Sequence, residues 1–249
     1  MFSPQLWQAP TADNNAFEQL PRLKKELENH LAFISKHYKA VRFASSLAVE
    51  DMVITEVISR LNLPIKVFTL DTGKLHQETL QLLNQTRENF PNLTIETFEP
   101  LSDAVVAFDN EHGISSIYDS LEQRKLCCSI RKLEPLNRAL KDADAWITGQ
   151  RREQSSTRTA LPFEERDELR GITKFNPLYA WDEATVWAYI KSYDLPINKL
   201  YENGYPSIGC EPCTRPIRIN EEIRAGRWWW EHKNSKECGL HQAPNNEQS

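Results

Sequence analysis

The sequence predicts one α/β domain built on a mainly parallel sheet that is flanked by helices. Three observations lead to this fold class. Short apolar runs typical of strands alternate with helical segments between residues 41 and 98. Polar loops follow two of these runs, as is usual at the ligand-binding edge of such a sheet. A chain of 249 residues is also long enough to bury one sizeable core.

A long amphipathic helix is predicted first. Its apolar residues recur at helical spacing and are Phe17, Leu20, Leu23, Leu27, Leu31 and Ile34. The pattern ends near His37, so we expect a helix that packs one face against the core.

The alternating part of the chain follows this helix. The predicted order is strand Val41–Ala44, helix 50–61, strand 65–70, helix 75–89, strand 93–98 and, further along, strand 146–149. Because parallel strands are connected by right-handed crossovers, this order places helices on both faces of the sheet.

The C-terminal third is predicted to be less regular. Residues 151–174 have the composition of loops, and residues 182–192 that of a helix with Asp182 as its N-cap. Residues 201–216 are rich in glycine and proline, and a second helix is predicted from residue 220 to about residue 230. The polar end of the chain predicts a mobile tail, so we divide the chain into a domain of residues 1–233 and a tail of residues 234–249.

Composition and charge argue against several classes of protein. The formal net charge of −5 argues against nonspecific binding to nucleic acid, although local basic clusters could hold a small anion. No apolar stretch approaches the length of a membrane span, and the first ten residues do not resemble a signal peptide. We therefore expect a soluble, cytoplasmic protein with a small anionic partner.

Two polar loops after neighbouring strands are candidates for nucleotide binding. The candidate residues are Ser45 and Ser46 in the first loop and Leu70, Asp71, Thr72 and Gly73 in the second. The first loop runs into a helix, whose N-terminal N–H groups can hold a phosphate. Neither loop matches the Walker A or dinucleotide-binding motifs. Simple capping of the helix by the serines is the alternative for the first loop.

Two pairs of arginines are candidates for holding the anion. Gly149 precedes Arg151 and Arg152 at the same sheet edge, and Arg224 and Arg227 stand three residues apart on the predicted late helix. Guanidinium groups suit phosphate or sulfate oxygens. A surface cluster of salt bridges is the alternative for the first pair. The three tryptophans that follow the second pair are more typical of helix packing than of base stacking.

Four of the five cysteines have the spacing of ligands to a metal centre. These are the adjacent Cys127 and Cys128 and the Cys-x-x-Cys pair Cys210 and Cys213, which could hold an iron–sulfur cluster or zinc. The adjacent pair favours the cluster, because zinc motifs usually separate paired cysteines by two or more residues. A disulfide framework is the competing interpretation, but the chain is long and poor in cysteine.

The fifth cysteine, Cys238, needs a separate explanation. It is followed by a glycine and, three residues on, by His241. Because a thiolate is the reactive form of cysteine, Cys238 is a candidate nucleophile, and His241 could hold the thiolate or position a substrate. An incidental exposed cysteine is the alternative.

Together these motifs resemble the assimilatory adenylyl-sulfate and phosphoadenylyl-sulfate reductases, from about Ser45 to His241. The segments that carry the resemblance are residues 45–51, 70–73, 127–132, 149–155, 210–216, 227–231 and 237–241. The resemblance implies a fold related to the adenine-nucleotide alpha hydrolases. It also implies a 4Fe-4S cluster on the four paired cysteines.

The resemblance further implies a reaction at sulfur. In that family the counterpart of Cys238 attacks the sulfate sulfur of adenosine 5′-phosphosulfate, AMP leaves, and thioredoxin or glutaredoxin releases sulfite from the resulting S-sulfocysteine. Lys132, Arg224 and Arg227 could screen the negative charges that repel an approaching thiolate. Lys132 could touch both cluster and substrate, which makes it a candidate catalytic residue.

The four paired cysteines also bear on the choice of substrate. Family members that carry them resemble the adenylyl-sulfate users, so we expect the unphosphorylated nucleotide, with phosphoadenylyl sulfate or both substrates as the alternative. A metal-binding regulator is the non-enzymatic alternative, and an adenylating ATP pyrophosphatase would need a glycine-rich loop that this chain lacks. We expect the reductant to be a separate protein, and a homo-oligomer is left open.

Overall fold

The structure, a computed structural model, describes residues 5–154 and 160–231. The strands are β1 (Val41–Ala44), β2 (Lys66–Leu70), β3 (Ile95–Phe98), β4 (Ala145–Ile147), β5 (Glu164–Asp167) and β6 (Ile172–Phe175). The helices are α1 (Asn14–His37), α2 (Val49–Arg60), α3 (Gln77–Asn89), α4 (Ser102–His112), α5 (Leu121–Cys128), α6 (Glu134–Leu140) and α7 (Glu183–Ser192). A π-helical turn, Ser129–Leu133, joins α5 to α6.

These strands form one sheet in the order β3-β2-β1-β4-β6-β5. The pairs are parallel except for β5 and β6, which are antiparallel. The predicted α/β class and mainly parallel sheet are thereby confirmed. Successive crossovers run outward from β1 to β3 and then return to β4 on the other side of β1. The switch point of the sheet therefore lies between β1 and β4, where a crevice opens for ligands.

Helices cover both faces of the sheet, as predicted. On one face, α1, α2, α3 and α7 bury their apolar side chains in the main core. On the other face, α6 places Leu136 and Ala139 against Phe68 of β2 and Trp146 of β4. The opposite placement of α6 follows from the reversed direction of the crossover that leads to β4.

The predicted boundaries hold best where the apolar pattern is periodic. The predicted stripe of α1 is buried except for Phe17, which is 37% exposed near the start of the helix. The N-cap prediction for α7 is confirmed, because the Asp182 side chain accepts a hydrogen bond from the Thr185 backbone N–H at 2.7 Å.

The interval from residue 151 to residue 174 is less irregular than predicted. It contains β5 and, with Phe175, β6, which pair from Glu164 opposite Phe175 to Asp167 opposite Ile172. The sequence of β5 is charged throughout, so it carries no alternation of apolar and polar residues. Its strand conformation comes from pairing with β6 at the edge of the sheet.

The predicted helix over residues 220–230 is wrong. This segment instead runs as turns alongside residues 213–215, where Gly226 accepts from the Arg215 N–H and the Trp228 N–H donates to Cys213, both at 3.0 Å. Trp228 has a φ of 42°, which a helix does not allow. A Cβ at position 226 would overlap with the Arg215 carbonyl oxygen, so only glycine fits there.

Two further findings complete the fold. In the part of the chain that the structure describes, no helix has both the length and the apolar character of a membrane span. Cys238, His241 and the whole predicted tail lie outside the described residues, so the division at residue 233 stays a prediction.

Candidate functional site

A cavity of about 280 Å³ opens at the switch point of the sheet. Its lining comes from the loops that follow β1, β2 and β4 and from residues 206–210, 223–224 and 227–228. The lining residues that the sequence had singled out are Ser45, Ser46, Leu70, Thr72, Lys132, Gly149, Arg151, Cys210, Arg224 and Arg227. The structure thus brings together candidates from motifs that are far apart in the chain.

The loop after β1 turns its polar groups toward its own helix. The Ser46 N–H and hydroxyl both donate to Asp51 Oδ2 at 2.7 Å. Asp51 is buried, and this burial raises the pKa of its carboxyl to about 7, although the hydrogen bonds from Ser46 oppose the shift. A Cβ at position 149 would overlap with Asp51 Oδ1, so Gly149 permits the close approach of the two loops.

Arg151 reaches the cavity already neutralised. Its guanidinium donates twice to Glu50 Oε1, at 2.8 and 2.9 Å, and both side chains are buried. Glu183 lies near this pair, and its burial raises the pKa of its carboxyl. This end of the cavity therefore carries carboxylates, which makes it a poor place for a phosphate.

Arg152 has a different role from Arg151. It stacks 4.7 Å from the ring centre of Tyr179 and donates to the Leu161 carbonyl at 2.8 Å. It is not among the residues that line the cavity. These contacts place Arg152 in the packing of the loop around residue 161.

The residues of the loop after β2 have two different roles. Leu70 and Thr72 line the cavity, whereas Asp71 accepts from the Gly73 N–H at 2.9 Å and closes a tight turn. Gly73 has a φ of 68°, which suits glycine. The Thr72 hydroxyl lies 3.2 Å from the Cys210 sulfur. The turn therefore positions Thr72 between the cavity and the cysteines.

Lys132, Arg224 and Arg227 line the cavity and make one end of it cationic. Arg227 donates to the Ser207 hydroxyl and the Ile208 carbonyl at 3.3 and 3.2 Å, and its buried Nε has no hydrogen-bond partner among the described residues. An oxyanion in the cavity could supply that acceptor.

The backbone leaves little room around Arg227. A Cβ at position 209 would overlap with its guanidinium, so Gly209 allows this group to lie against the backbone. On its other side, Arg227 lies 4.7 Å from the ring centre of Trp228. The guanidinium therefore packs against both the backbone of a glycine and an indole ring.

The four predicted ligand cysteines surround one small void, of about 10 Å³. Cys127 and Cys128 end α5, whereas Cys210 precedes and Cys213 ends a short 3-10 turn, Glu211–Cys213. All four are buried free thiols. Lys74, Arg124, Arg131 and Lys132 line the same void. The cysteine void is thus a thiol site surrounded by cations.

Three of the thiols differ in how readily they ionise. Burial raises the pKa of Cys213 to about 12 and also raises that of Cys127. Burial opposes ionisation of Cys210 as well, but the charge of Lys132 and the hydroxyl of Thr72 lower its pKa nevertheless. The thiol nearest the cavity is therefore the one that its surroundings favour as thiolate.

Lys132, Cys210 and Trp228 line both the cavity and the cysteine void. The Trp228 ring is 1% exposed, and its indole N–H has no hydrogen-bond partner in the described residues. Arg124 stacks 4.6 Å from the same ring and pairs with Glu231 through two contacts of 2.8 Å. These residues form a charged wall between the two spaces.

The four cysteines and their surroundings form a donor set that could hold a metal centre. Among the described residues, no group of three or more histidine, cysteine or carboxylate side chains is arranged to hold one metal ion. Four thiols around one void, nearby cations and an unpartnered indole N–H fit an anionic iron–sulfur cluster.

Sequence reasoning missed several residues of the site. Glu50 and Asp51 appear in the loop motif, but nothing in it identified Arg151 as the partner of Glu50. Tyr201 accepts a hydrogen bond from the Val49 N–H at 3.1 Å and so caps α2 from a distant segment. Gln150 also lines the cavity, and its position beside Gly149 was the only signal for it.

Comparison with known proteins gives consistent matches. A family model described as "Phosphoadenosine phosphosulfate reductase domain" matches residues 40–216. An adenosine 5′-phosphosulfate reductase of Neisseria meningitidis serogroup A is 53% identical over 241 residues, covering 97% of this chain and 99% of that protein. One of Burkholderia cepacia is 56% identical over 217 residues, covering 87% of this chain and 86% of that protein.

A solved structure also resembles this one. The phosphoadenylyl-sulfate reductase of Candida auris, in a phosphate complex, superposes with a TM-score of 0.67 at 26% identity. The match covers 84% of this chain and 100% of the other. The fold and the extent of the domain are therefore shared.

Proposed function

The chain belongs to the phosphoadenosine phosphosulfate reductase domain family, and we propose that it reduces adenosine 5′-phosphosulfate to sulfite and AMP in sulfate assimilation. The unphosphorylated nucleotide is favoured by relatives of that name at 53% and 56% identity. The four gathered cysteines support the same choice, in line with the resemblance described above.

The observation that carries the proposal is the wall shared by the cavity and the cysteine void. Lys132 stands in that wall, and Arg224 and Arg227 line the cavity near it. We place the phosphosulfate group there, because three cations can balance its charges. The nucleoside then lies toward the apolar and carboxylate-bearing side, where Glu50 neutralises Arg151. This arrangement moves the phosphate away from the start of α2, where the sequence alone had suggested it.

The reaction requires a thiolate, an activated sulfur and a reductant. The Cys238 thiolate attacks the sulfate sulfur, an S–S bond forms, and the bond from sulfur to the anhydride oxygen breaks as AMP leaves with the electron pair. A thiolate of thioredoxin or glutaredoxin then attacks the Cys238 sulfur and releases sulfite. The second thiol of the reductant closes a disulfide and restores Cys238, so two electrons pass from the dithiol to sulfur.

The cations of the site lower the barrier to the first step. A thiolate and a phosphosulfate repel each other, and fixed positive charges are most effective where new charge develops on the sulfonate and on AMP. We assign that role to Lys132, Arg224 and Arg227. His241 is proposed to hold the Cys238 thiolate or to position the substrate.

We propose that Cys127, Cys128, Cys210 and Cys213 hold a 4Fe-4S cluster. When bound, it would supply a compact negative centre beside the wall. Lys132, which lines both spaces, would then be oriented between two negative partners. A metal-binding regulator is the alternative function. It would use the four cysteines but would have no use for the cationic cavity.

A side-by-side assay of the two sulfonucleotides tests the proposal. The purified holoprotein with thioredoxin should release sulfite and AMP from adenosine 5′-phosphosulfate and turn over the 3′-phosphorylated nucleotide much more slowly. Equal turnover would instead indicate a dual-substrate enzyme. This is the second candidate, because the structure also resembles that of the phosphoadenylyl-sulfate reductase of Candida auris. Absence of sulfite from both nucleotides would refute a reductase.

The role of Lys132 can be tested in the same assay. Lys132→Ala should lower kcat/KM by about 100-fold or more, because a fixed cation is lost where charge develops. Lys125→Ala, which removes an exposed cation from α5, is the matched control and should leave the rate unchanged. Unchanged kinetics of Lys132→Ala would remove this residue from the site.

A further inference from the structure

Gln150 is a buried polar side chain in the cavity wall that the proposed chemistry does not use. It is 6% exposed and follows Gly149 directly after β4. Its backbone N–H donates to the Thr148 hydroxyl at 3.3 Å, and its side-chain Oε1 accepts from Lys174 Nζ at 2.7 Å. Both ends of the residue are therefore held in place.

Lys174 fixes which way the Gln150 amide faces. An ammonium group has only donors, so the amide oxygen must lie toward Lys174 and the amide NH2 must turn away from it. Lys174 is itself 5% exposed, and Glu165 Oε1 lies 2.8 Å from its Nζ. Its ammonium also lies 5.7 Å from the ring centre of Trp146. These contacts keep the charge of Lys174 balanced and its position defined.

The cavity that Gln150 lines also has a surface that suits a flat aromatic ring. Ala44, Phe68, Leu136 and Trp146 contribute apolar surface to the cavity. Trp146 is the one that the strand register ties to Gln150, because it pairs with Lys174 in the register of β4 and β6. A purine can be buried against such a wall, but its ring nitrogens then need hydrogen-bond donors to replace water. The NH2 group of Gln150 is a donor of that kind.

We infer that Gln150 is a specificity-determining residue that donates a hydrogen bond to a ring nitrogen of the bound adenine, and that Lys174 is the positioning residue that orients its amide. The inference rests on the proposed function, since it takes the occupant of the cavity to be an adenine nucleotide. In this arrangement Gln150 recognises the base, whereas the cationic end of the cavity recognises the anion.

Binding of AMP, measured by titration calorimetry, tests the inference without relying on turnover. Gln150→Leu should weaken AMP binding about tenfold, the usual effect of losing one hydrogen bond and leaving its partner buried. Gln150→Glu should weaken it as much, because a carboxylate held by Lys174 still accepts but cannot donate. Gln81→Leu, at an exposed position on α3, is the control and should bind AMP like the wild type.

The two variants of Gln150 distinguish a hydrogen bond to adenine from a role that only holds Lys174 in place. If Gln150→Glu binds AMP as tightly as the wild type while Gln150→Leu does not, Gln150 serves only to hold Lys174, and the inference is wrong. It is equally wrong if both variants bind like the wild type.

AMP analogues that lack one ring nitrogen identify the contact. Among 1-deaza, 3-deaza and 7-deaza AMP, we expect one to bind the wild type about tenfold more weakly than AMP and to bind Gln150→Leu no more weakly than AMP. If each analogue changes affinity by the same factor in both proteins, the amide does not contact the ring and the inference is overturned.

The positioning role of Lys174 has its own readout. Lys174→Met should weaken AMP binding when residue 150 is glutamine and have no further effect in the Gln150→Leu background. An equal loss in both backgrounds would show that Lys174 does not act through Gln150. A wild type that neither binds AMP nor releases sulfite would contradict the proposed function itself, whereas normal AMP binding with unresponsive variants would contradict this inference alone.

Discussion

The two ends of the central cavity use buried arginine in different ways. At the α2 end, Arg151 is 3% exposed and its charge faces Glu50 at 2.8 Å. At the cysteine end, Arg227 is 8% exposed, but its hydrogen-bond acceptors among the described residues are the neutral Ser207 hydroxyl and Ile208 carbonyl. A buried arginine in a cavity is therefore available for an anionic ligand only where the protein has not supplied the counter-ion.

This comparison predicts that loss of Arg151 mainly affects folding. Arg151→Met should lower the free energy of unfolding by about 3–5 kcal/mol, because it leaves the buried Glu50 carboxylate without its partner. Urea denaturation of the two proteins measures the effect. The double variant Glu50→Gln, Arg151→Met should recover much of the loss, and a cost below about 1 kcal/mol for Arg151→Met alone would contradict the structural role.

Loss of Arg227 should instead affect the reaction. Arg227→Met is expected to lower kcat/KM for adenosine 5′-phosphosulfate by about 100- to 1000-fold, the usual effect of removing one fixed electrostatic group. Its cost in unfolding free energy should be smaller than that of Arg151→Met, since the hydrogen-bond acceptors of Arg227 among residues 5–154 and 160–231 are neutral. Arg218→Met, at an exposed position nearby, serves as the control.

The comparison of the two arginines would fail if both variants mainly lost stability. A variant of Arg227 that unfolds as easily as Arg151→Met, while its folded fraction keeps normal kinetics, would assign Arg227 a structural role only.

Gly149 allows a second test at the α2 end of the cavity, because it lies against Asp51. Gly149→Ala should destabilise the protein by about 2 kcal/mol, because the added methyl group displaces the Asp51 side chain from Ser46. Most of this cost should disappear in the Asp51→Ala background, which denaturation of the single and double variants can measure. A cost that is the same in both backgrounds would mean that the contact with Asp51 is not responsible.

The last prediction concerns pH. Burial raises the pKa of Asp51 to about 7 in the folded protein, above the ordinary value of 3.8 for an aspartate. The folded state therefore keeps a proton that the unfolded state has released, and stability falls as pH rises from about 4 to about 7. Asp51→Asn should remove this fall, so the variant should gain on the wild type between pH 5 and pH 8 in urea denaturation. Parallel pH profiles of the two proteins would refute the assignment.

Sequence patterns predicted the parts of the fold that depend on local periodicity. The bounds of β1 matched, and α2, α3 and α7 were each placed within a few residues of their observed positions. Helices α4 to α6 were not predicted, and α4 buries only Phe108, so it has no apolar stripe to detect. Charged β5 and the turns over residues 220–230 depend on pairing with other segments, which no local pattern records.

In the candidate site, too, local sequence patterns predicted some features, and the rest depend on distant residues. The spacing of the four paired cysteines was enough to predict that they gather. The pairing of Arg151 with Glu50 joins residues 101 positions apart, so the sequence could place a guanidinium at the sheet edge but not show that it was already neutralised. The orientation of Gln150 likewise depends on Lys174, a residue on another strand.

The central claim is that a thiol near the C-terminus takes the sulfonate from a nucleotide held by the cationic end of the cavity. Mass spectrometry of the holoprotein mixed with adenosine 5′-phosphosulfate, with no reductant present, tests it most directly. The account predicts one added SO3 group on the peptide that contains Cys238. An unmodified Cys238 peptide, or an added group on a different cysteine, would contradict it.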